Sequence, residues 1–107
     1  LIVKKYKPNV LSIEEVFFGK NVKSALLLGH ARGVAMLCAS NNNMPVFEYS
    51  PRKIKQSITG NGNADKSQVK FMVIRELDLK NSDFPDDASD ALAIALCHNN
   101  QIKLDEL

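Results

Sequence analysis

At 107 residues, with 45% hydrophobic and 24% charged residues, the chain has room for one ordinary globular domain with a modest core. No apolar run is long enough to span a bilayer and no signal peptide opens the chain, which points to the cytoplasm and away from a membrane. The net charge of +2 conceals an asymmetry: residues 1–75 carry 12 Lys or Arg against 4 acids, and residues 76–107 carry 2 against 8. A basic body with a concentrated acidic site suits a protein that binds a polyanion and holds divalent cations, although two solvated faces would give the same count.

In chain order, Leu1–Tyr6 reads as the last turns of a helix closed by Lys7-Pro8-Asn9, and Val10–Glu14 as a short buried strand. A turn is expected over Phe17–Asn21, then a long helix from about Val22 to Ser40, ended by three asparagines. Met44–Tyr49 is the second strand, completing a parallel, right-handed βαβ unit. Ser50-Pro51 is a cap followed by proline at the first helical position, and it opens a basic helix through Ile58. A loop over Thr59–Asn63 leads to a helix from about Asp65 to Leu79. An acidic helix from Asp86 to about His98 closes the fold, with a frayed tail beyond it. Two strands under several helices leave sheet edges uncovered, so the pattern predicts that an N-terminal segment is missing. The long helix is apolar nearly all round, and Gly29 and Gly33 would let another helix approach closely. One side is expected in the core and the other in a dimer interface, against the simpler alternative of a doubly covered core helix.

The acidic helix carries the strongest chemical signal. Asp87 and Asp90 are three residues apart and share a helix face that continues through Ala91 and Ile94 toward the core. Helix capping explains one first-turn acid, and Asp86 can fill that role. Asp87 and Asp90 then stand as a pair of carboxylates in apolar surroundings, which a bound cation would stabilise. Glu14 ends the first strand, at the sheet edge where open α/β proteins bind ligands, while Glu15 points the opposite way. Glu14, Asp87 and Asp90 are expected to converge if the acidic helix packs across that edge, and three carboxylates suit Mg²⁺ or Mn²⁺ and not zinc. Such ions activate water for phosphodiester hydrolysis.

Gly60-Asn61-Gly62-Asn63-Ala64-Asp65-Lys66-Ser67 superficially matches a phosphate loop, but a helix precedes it where a strand is required. Its backbone amides and Lys66 remain suited to a DNA phosphate, and Arg52, Lys53 and Lys55 extend the basic surface. Phe17 and Phe18 follow the strand bearing Glu14; such aromatics are usually core, or they stack on an unpaired base. Cys38 and Cys97 are expected as free, buried thiols, and His30 and His98 as ordinary helix residues.

Ile13-Glu14-Glu15-Val16-Phe17, Ala31-Arg32-Gly33, Pro45-Val46-Phe47-Glu48-Tyr49, Ile54-Lys55-Gln56, Lys66-Ser67-Gln68-Val69 and Asp87-Ala88-Ser89-Asp90-Ala91-Leu92-Ala93 occur in that order. Together they resemble the RuvC family of bacterial Holliday junction resolvases, over essentially the whole chain from Lys7 to His98. The resemblance implies a single, incomplete ribonuclease H-like α/β nuclease domain over residues 1–107, with a mostly parallel sheet flanked by helices. It also implies a homodimeric, Mg²⁺-dependent endonuclease that cuts four-way junction DNA in recombination and repair, alongside the RuvA and RuvB branch-migration proteins. Glu14, Asp87 and Asp90 match three of the family's four catalytic acids, Lys55 and Lys66 match basic cleft residues, and Phe17 matches an aromatic acting near the crossover. The fourth acid belongs to a Gly-Ile-Asp-Pro-Gly-like motif that this sequence lacks, so the chain alone is expected to hold metal weakly and cleave poorly. The alternatives are a non-catalytic DNA-binding and dimerisation fragment, or a related ribonuclease H-like nuclease with another substrate.

Overall fold

The computed structural model describes residues 2–15, 22–79 and 85–106. They fall into two compact units, Leu1–Glu48 and Tyr49–Leu107. Phe17, Phe18 and the expected turn around them lie outside the described residues.

In the first unit, the short helix α1 (Ile2–Tyr6) precedes strand β1 (Leu11–Glu14), helix α2 (Val22–Asn41) and strand β2 (Val46–Tyr49). β1 and β2 pair as a parallel two-stranded sheet, started by the Leu11 N–H donating to the Pro45 carbonyl at 2.9 Å. A 20-residue helix between parallel neighbours is the crossover that such strands require. The asparagine run ends α2 through a specific geometry. Asn43 adopts a left-handed conformation (φ 53°), which Asn tolerates better than most residues, and the Met44 N–H returns to the Ala39 carbonyl at 2.8 Å. Ala39 and Met44 are thereby buried. Arg32 of α2 forms an ion pair with Glu48 of β2, tying the crossover helix to the strand that follows it.

The outer side of α2 is open. Val34 and Leu37 are 68% and 62% exposed, and a methyl group added at Gly29 or Gly33 would meet nothing within 4 Å among the described residues. Cys38 is exposed, contrary to the burial expected for it. The reason lies in the helix itself: a helix apolar on every side cannot bury every side, and Cys38 falls next to Leu37 on the uncovered one.

The second unit begins at the end of β2 and is built from α3 (Pro51–Thr59), α4 (Lys66–Glu76) and α5 (Asp86–Asp105). Ser50 caps α3, its hydroxyl accepting from the Lys53 N–H at 3.1 Å, with Pro51 at the first position as expected. Gly60 closes the helix in the left-handed region (φ 81°), where its N–H reaches the Gln56 carbonyl at 2.8 Å. At Gly62 the constraint comes from a neighbour: a Cβ there would lie 2.8 Å from Cγ of Arg52, whose guanidinium donates to Asn63 Oδ1 at 2.9 Å.

A full capping box starts α4. The Asp65 carboxylate accepts from the Gln68 N–H at 2.9 Å and the Ser67 hydroxyl at 2.7 Å, and Gln68 Oε1 accepts from the Asp65 N–H at 2.9 Å. The helix ends at Glu76, three residues before the expected Leu79. Asp78 turns left-handed (φ 53°) and the Leu79 N–H folds back to the Ile74 carbonyl at 2.9 Å.

The three helices enclose a small core of Tyr49, Ile54, Ala64, Val69, Val73, Ala93 and Cys97. α5 continues to Asp105, seven residues beyond the expected end at His98. Asn100 holds this extension to α3, donating to Ser57 Oγ at 3.1 Å, and Gln101 bonds Asp105 one turn on at 3.0 Å. His98 is more than an ordinary helix residue: it is 7% exposed, with Nδ1 2.6 Å from the Tyr49 hydroxyl. Burial, with lesser contributions from Cys97 and Asp105, pushes the Tyr49 phenol above its usual range, so it remains a proton donor at neutral pH.

Tyr49→Phe keeps the ring but removes the phenolic partner of a buried imidazole nitrogen. It should lower stability by about 1–3 kcal/mol in urea unfolding. The Asp65 cap adds an acid dependence. The Ser67 hydroxyl first, then the Gln68 N–H, hold the Asp65 carboxyl below its ordinary range. Its contribution is therefore complete above the unfolded-state pKa and is lost as pH falls through the folded value. Thermal unfolding at pH 7 and below pH 4 should show the difference between the parent chain and Asp65→Ala shrinking in acid.

Candidate metal and nucleic-acid site

α5 presents its acids through a defined entry. Pro85, in extended conformation (φ −60°, ψ 150°), occupies the cap position and supplies no side-chain hydrogen bond. Asp86 is consequently the first helical residue and not the expected cap, and its carboxylate bonds Lys70 of α4 at 3.2 Å. Negative charge in the first turn still favours the helix dipole.

Asp87 and Asp90 lie on one stripe, as their spacing demands, but both are exposed. The core stripe of α5 is Ser89, Ala93 and Cys97, displaced around the helix from the two acids. The sequence placed the acids over apolar ground because Ala91 and Ile94 extend their stripe; Ala91 is exposed and Ile94 only half-buried. Solvent screens the repulsion between exposed carboxylates, so folding does not require a cation between them. Among the described residues neither acid has a cationic protein partner, whereas Asp86 is engaged by Lys70. Asp87 and Asp90 thus offer oxygen donors that the described residues leave uncommitted, a chemistry suited to a hard divalent ion.

Glu14 is the last residue of β1 and half-buried, with Glu15 exposed beyond the strand end. It belongs to the first unit, and Asp87 and Asp90 to the second. Among the described residues no three His, Cys, Asp or Glu side chains are gathered around one metal position. Cys97 is buried, and burial pushes its thiol up despite the opposing effects of the Ser57 hydroxyl and Lys53, so it is neither a ready nucleophile nor a ready ligand.

The basic residues separate into distinct roles. Lys66 is the first residue of α4 and exposed; Lys55 is half-buried on α3. Arg52 is exposed, with its guanidinium directed to Asn63. The loop amides do not form the phosphate cradle expected of them, because the Asp65 carboxylate already occupies the start of α4. An anion brought to that helix start would meet a fixed negative charge, and the exposed Lys66 is the cationic side chain beside it. Sequence reasoning missed the aromatic feature of this surface, Phe71, which is 62% exposed on α4. Its signal was available: Val69 and Val73 set the core face of α4, and Phe71 falls opposite them.

The profile of the family described as crossover junction endodeoxyribonuclease RuvC matches residues 1–98. Curated proteins bearing that description include one from Desulforamulus reducens, 50% identical over 91% of this chain and 60% of its own length. Another, from Alkaliphilus oremlandii, is 54% identical over 91% of the chain and 59% of its own length. The chain therefore spans about 60% of the length of these relatives. Among solved structures, Thermus thermophilus RuvC superposes with a TM-score of 0.86 at 34% identity, covering 97% of this chain and 63% of that one. The T. thermophilus protein in complex with a Holliday junction substrate superposes with a TM-score of 0.89 over the same shares. The identity, the coverage and the shared ribonuclease H-like fold agree, and the chain belongs to the RuvC family of crossover junction endodeoxyribonucleases.

Proposed function

We propose that this chain serves in a Holliday junction resolvase, a metal-dependent endonuclease that cuts four-way DNA junctions during recombination and repair. The observation that carries the reading is the likeness to a relative whose structure was solved with a Holliday junction substrate. Asp87 and Asp90, uncommitted on the first turns of α5, and Glu14, at the end of β1, are the residues that would hold Mg²⁺, with Mn²⁺ as a substitute. When bound, the metal would activate water and stabilise the leaving oxygen of the phosphodiester.

The chain's own residues have separable tasks. Asp87 and Asp90 act on the chemistry, while Lys66 and Lys55 neutralise phosphates and set the register of the backbone. Arg52 adds positive charge while it fixes the loop over Gly62. Phe17, which follows the strand bearing Glu14, is the residue proposed to act on bases near the crossover. The open face of α2 is proposed as the homodimer interface, since Val34 and Leu37 expose apolar surface beside two glycines with free space around them. RuvA and RuvB as partners and a cytoplasmic setting belong to the same proposal; among the described residues no helix is long and apolar enough to cross a membrane.

The nuclease reading is tested in a full-length protein containing this segment, on a labelled four-way junction with Mg²⁺ or Mn²⁺. Asp87→Asn should reduce cleavage at least about 100-fold while junction affinity stays nearly constant, because misplacing a catalytic group by even about 1 Å costs that much. Lys66→Ala should weaken binding and reduce the slope of log affinity against log salt by about 1. Retained cleavage in Asp87→Asn removes the acid from the mechanism. For the dimer, Leu37→Asp places a charge on an already exposed position, so it should yield folded monomer in sedimentation at micromolar concentration.

A further inference from the structure

The second unit contains an open cleft of about 510 Å³ between α4 and the loop that precedes it, lined by Thr59, Asn61, Ala64, Ser67, Gln68, Phe71 and Met72. Its volume is within the roughly 300–1,000 Å³ of clefts that take small organic groups. None of the acids or lysines assigned to resolvase chemistry lines it. The side wall is aromatic. Phe71 is 62% exposed, although Val69 and Val73 on the same helix are buried, so the ring stands outside the core.

The polar lining is fixed by hydrogen bonds that occupy the oxygens of two exposed carboxamides. Asn61 Oδ1 accepts from the Asn63 N–H at 2.9 Å, and Gln68 Oε1 accepts from the Asp65 N–H at 2.9 Å. Because a backbone N–H can bond only the oxygen of each carboxamide, both NH₂ groups are left without a protein partner among the described residues. Ser67, Phe71 and Arg75 follow one another at four-residue spacing and share a face of α4. Arg75 therefore lies one turn from the ring, exposed and without an acidic partner among the described residues.

We infer that this cleft is a stacking site for an unpaired nucleobase, with the Phe71 ring as its platform. Base faces stack on exposed aromatics, base edges carry carbonyl and ring-nitrogen acceptors for unpartnered NH₂ donors, and a nearby guanidinium suits the attached phosphate. A purely apolar occupant, such as a hydrophobic patch of another protein, would bury the two carboxamide NH₂ groups without partners, at a cost that favours the polar-edged base. The site rests on the DNA-binding reading proposed above but deepens it: junction strands that open near the crossover would find a second aromatic position on a helix distinct from the segment that carries Phe17.

The chain has no tryptophan, so Phe71→Trp introduces a single indole reporter at an exposed position. Fluorescein-labelled oligothymidine and a labelled four-way junction are titrated, with indole emission and DNA anisotropy followed together. The expected result is saturable quenching of the indole as anisotropy rises. In parallel, Phe71→Leu should lower single-strand affinity about 5- to 150-fold with its melting temperature unchanged. Rising anisotropy with constant emission, or Phe71→Leu binding as tightly as the parent, overturns the stacking site and leaves DNA binding intact. No anisotropy change with either DNA overturns the DNA-binding reading and this site with it. An emission shift that follows protein concentration in the absence of DNA identifies a contact between copies of the chain and also overturns the proposal.

Discussion

The burial of one face of α5 governs the second unit. Ser89, Ala93 and Cys97 are 3%, 2% and 1% exposed, and they hold α5 against α3 and α4. Small side chains at four-residue spacing let the helices approach closely, and this fixes the rotation of α5 about its own axis. Once that rotation is set, the direction of every other side chain on the helix follows. Asp87 and Asp90 are directed to solvent, and His98 is turned inward to meet Tyr49. The acids are available to a ligand because the small residues beside them are not.

Much of the second unit was legible because its boundaries are written in local chemistry. Ser50-Pro51 satisfies a backbone group within its own turn, so the sequence locates it as a cap. Gly60 and Asp65 were legible as loop and helix start, while the backbone groups that Gly60, Asp65 and Gln68 satisfy emerge only in the structure. The orientation of Asp87 and Asp90 was not legible. Ala, Leu and Ile surround α5 on several sides, so apolar spacing does not single out a core face. Only the packing against α3 and α4 chooses Ser89, a polar residue, for the interior. The extension of α5 past His98 was hidden for a related reason. Asn100 is polar, and its contribution comes from a hydrogen bond to Ser57, 43 residues away in sequence.

The same distinction applies to charge. A helix start beside a lysine reads as an anion site until the partner of its amides is known. Here that partner is a carboxylate from the chain itself, so the capping box stabilises α4 by occupying the position a phosphate would use. The basic residues beside it therefore present positive charge on long, adaptable side chains, and not on a rigid amide cradle.

The contact between Arg52 and Gly62 has an evolutionary consequence. Gly62 has no left-handed backbone conformation to explain it; its lack of a side chain makes room for the arginine stem lying over it. The two positions are thus coupled by volume. Lineages that keep the arginine favour glycine at the second position, because any side chain there requires the arginine stem to shift, while those that replace it with a shorter residue gain freedom there. Paired change at these two sites, ten residues apart, is the signature this packing should leave across the family.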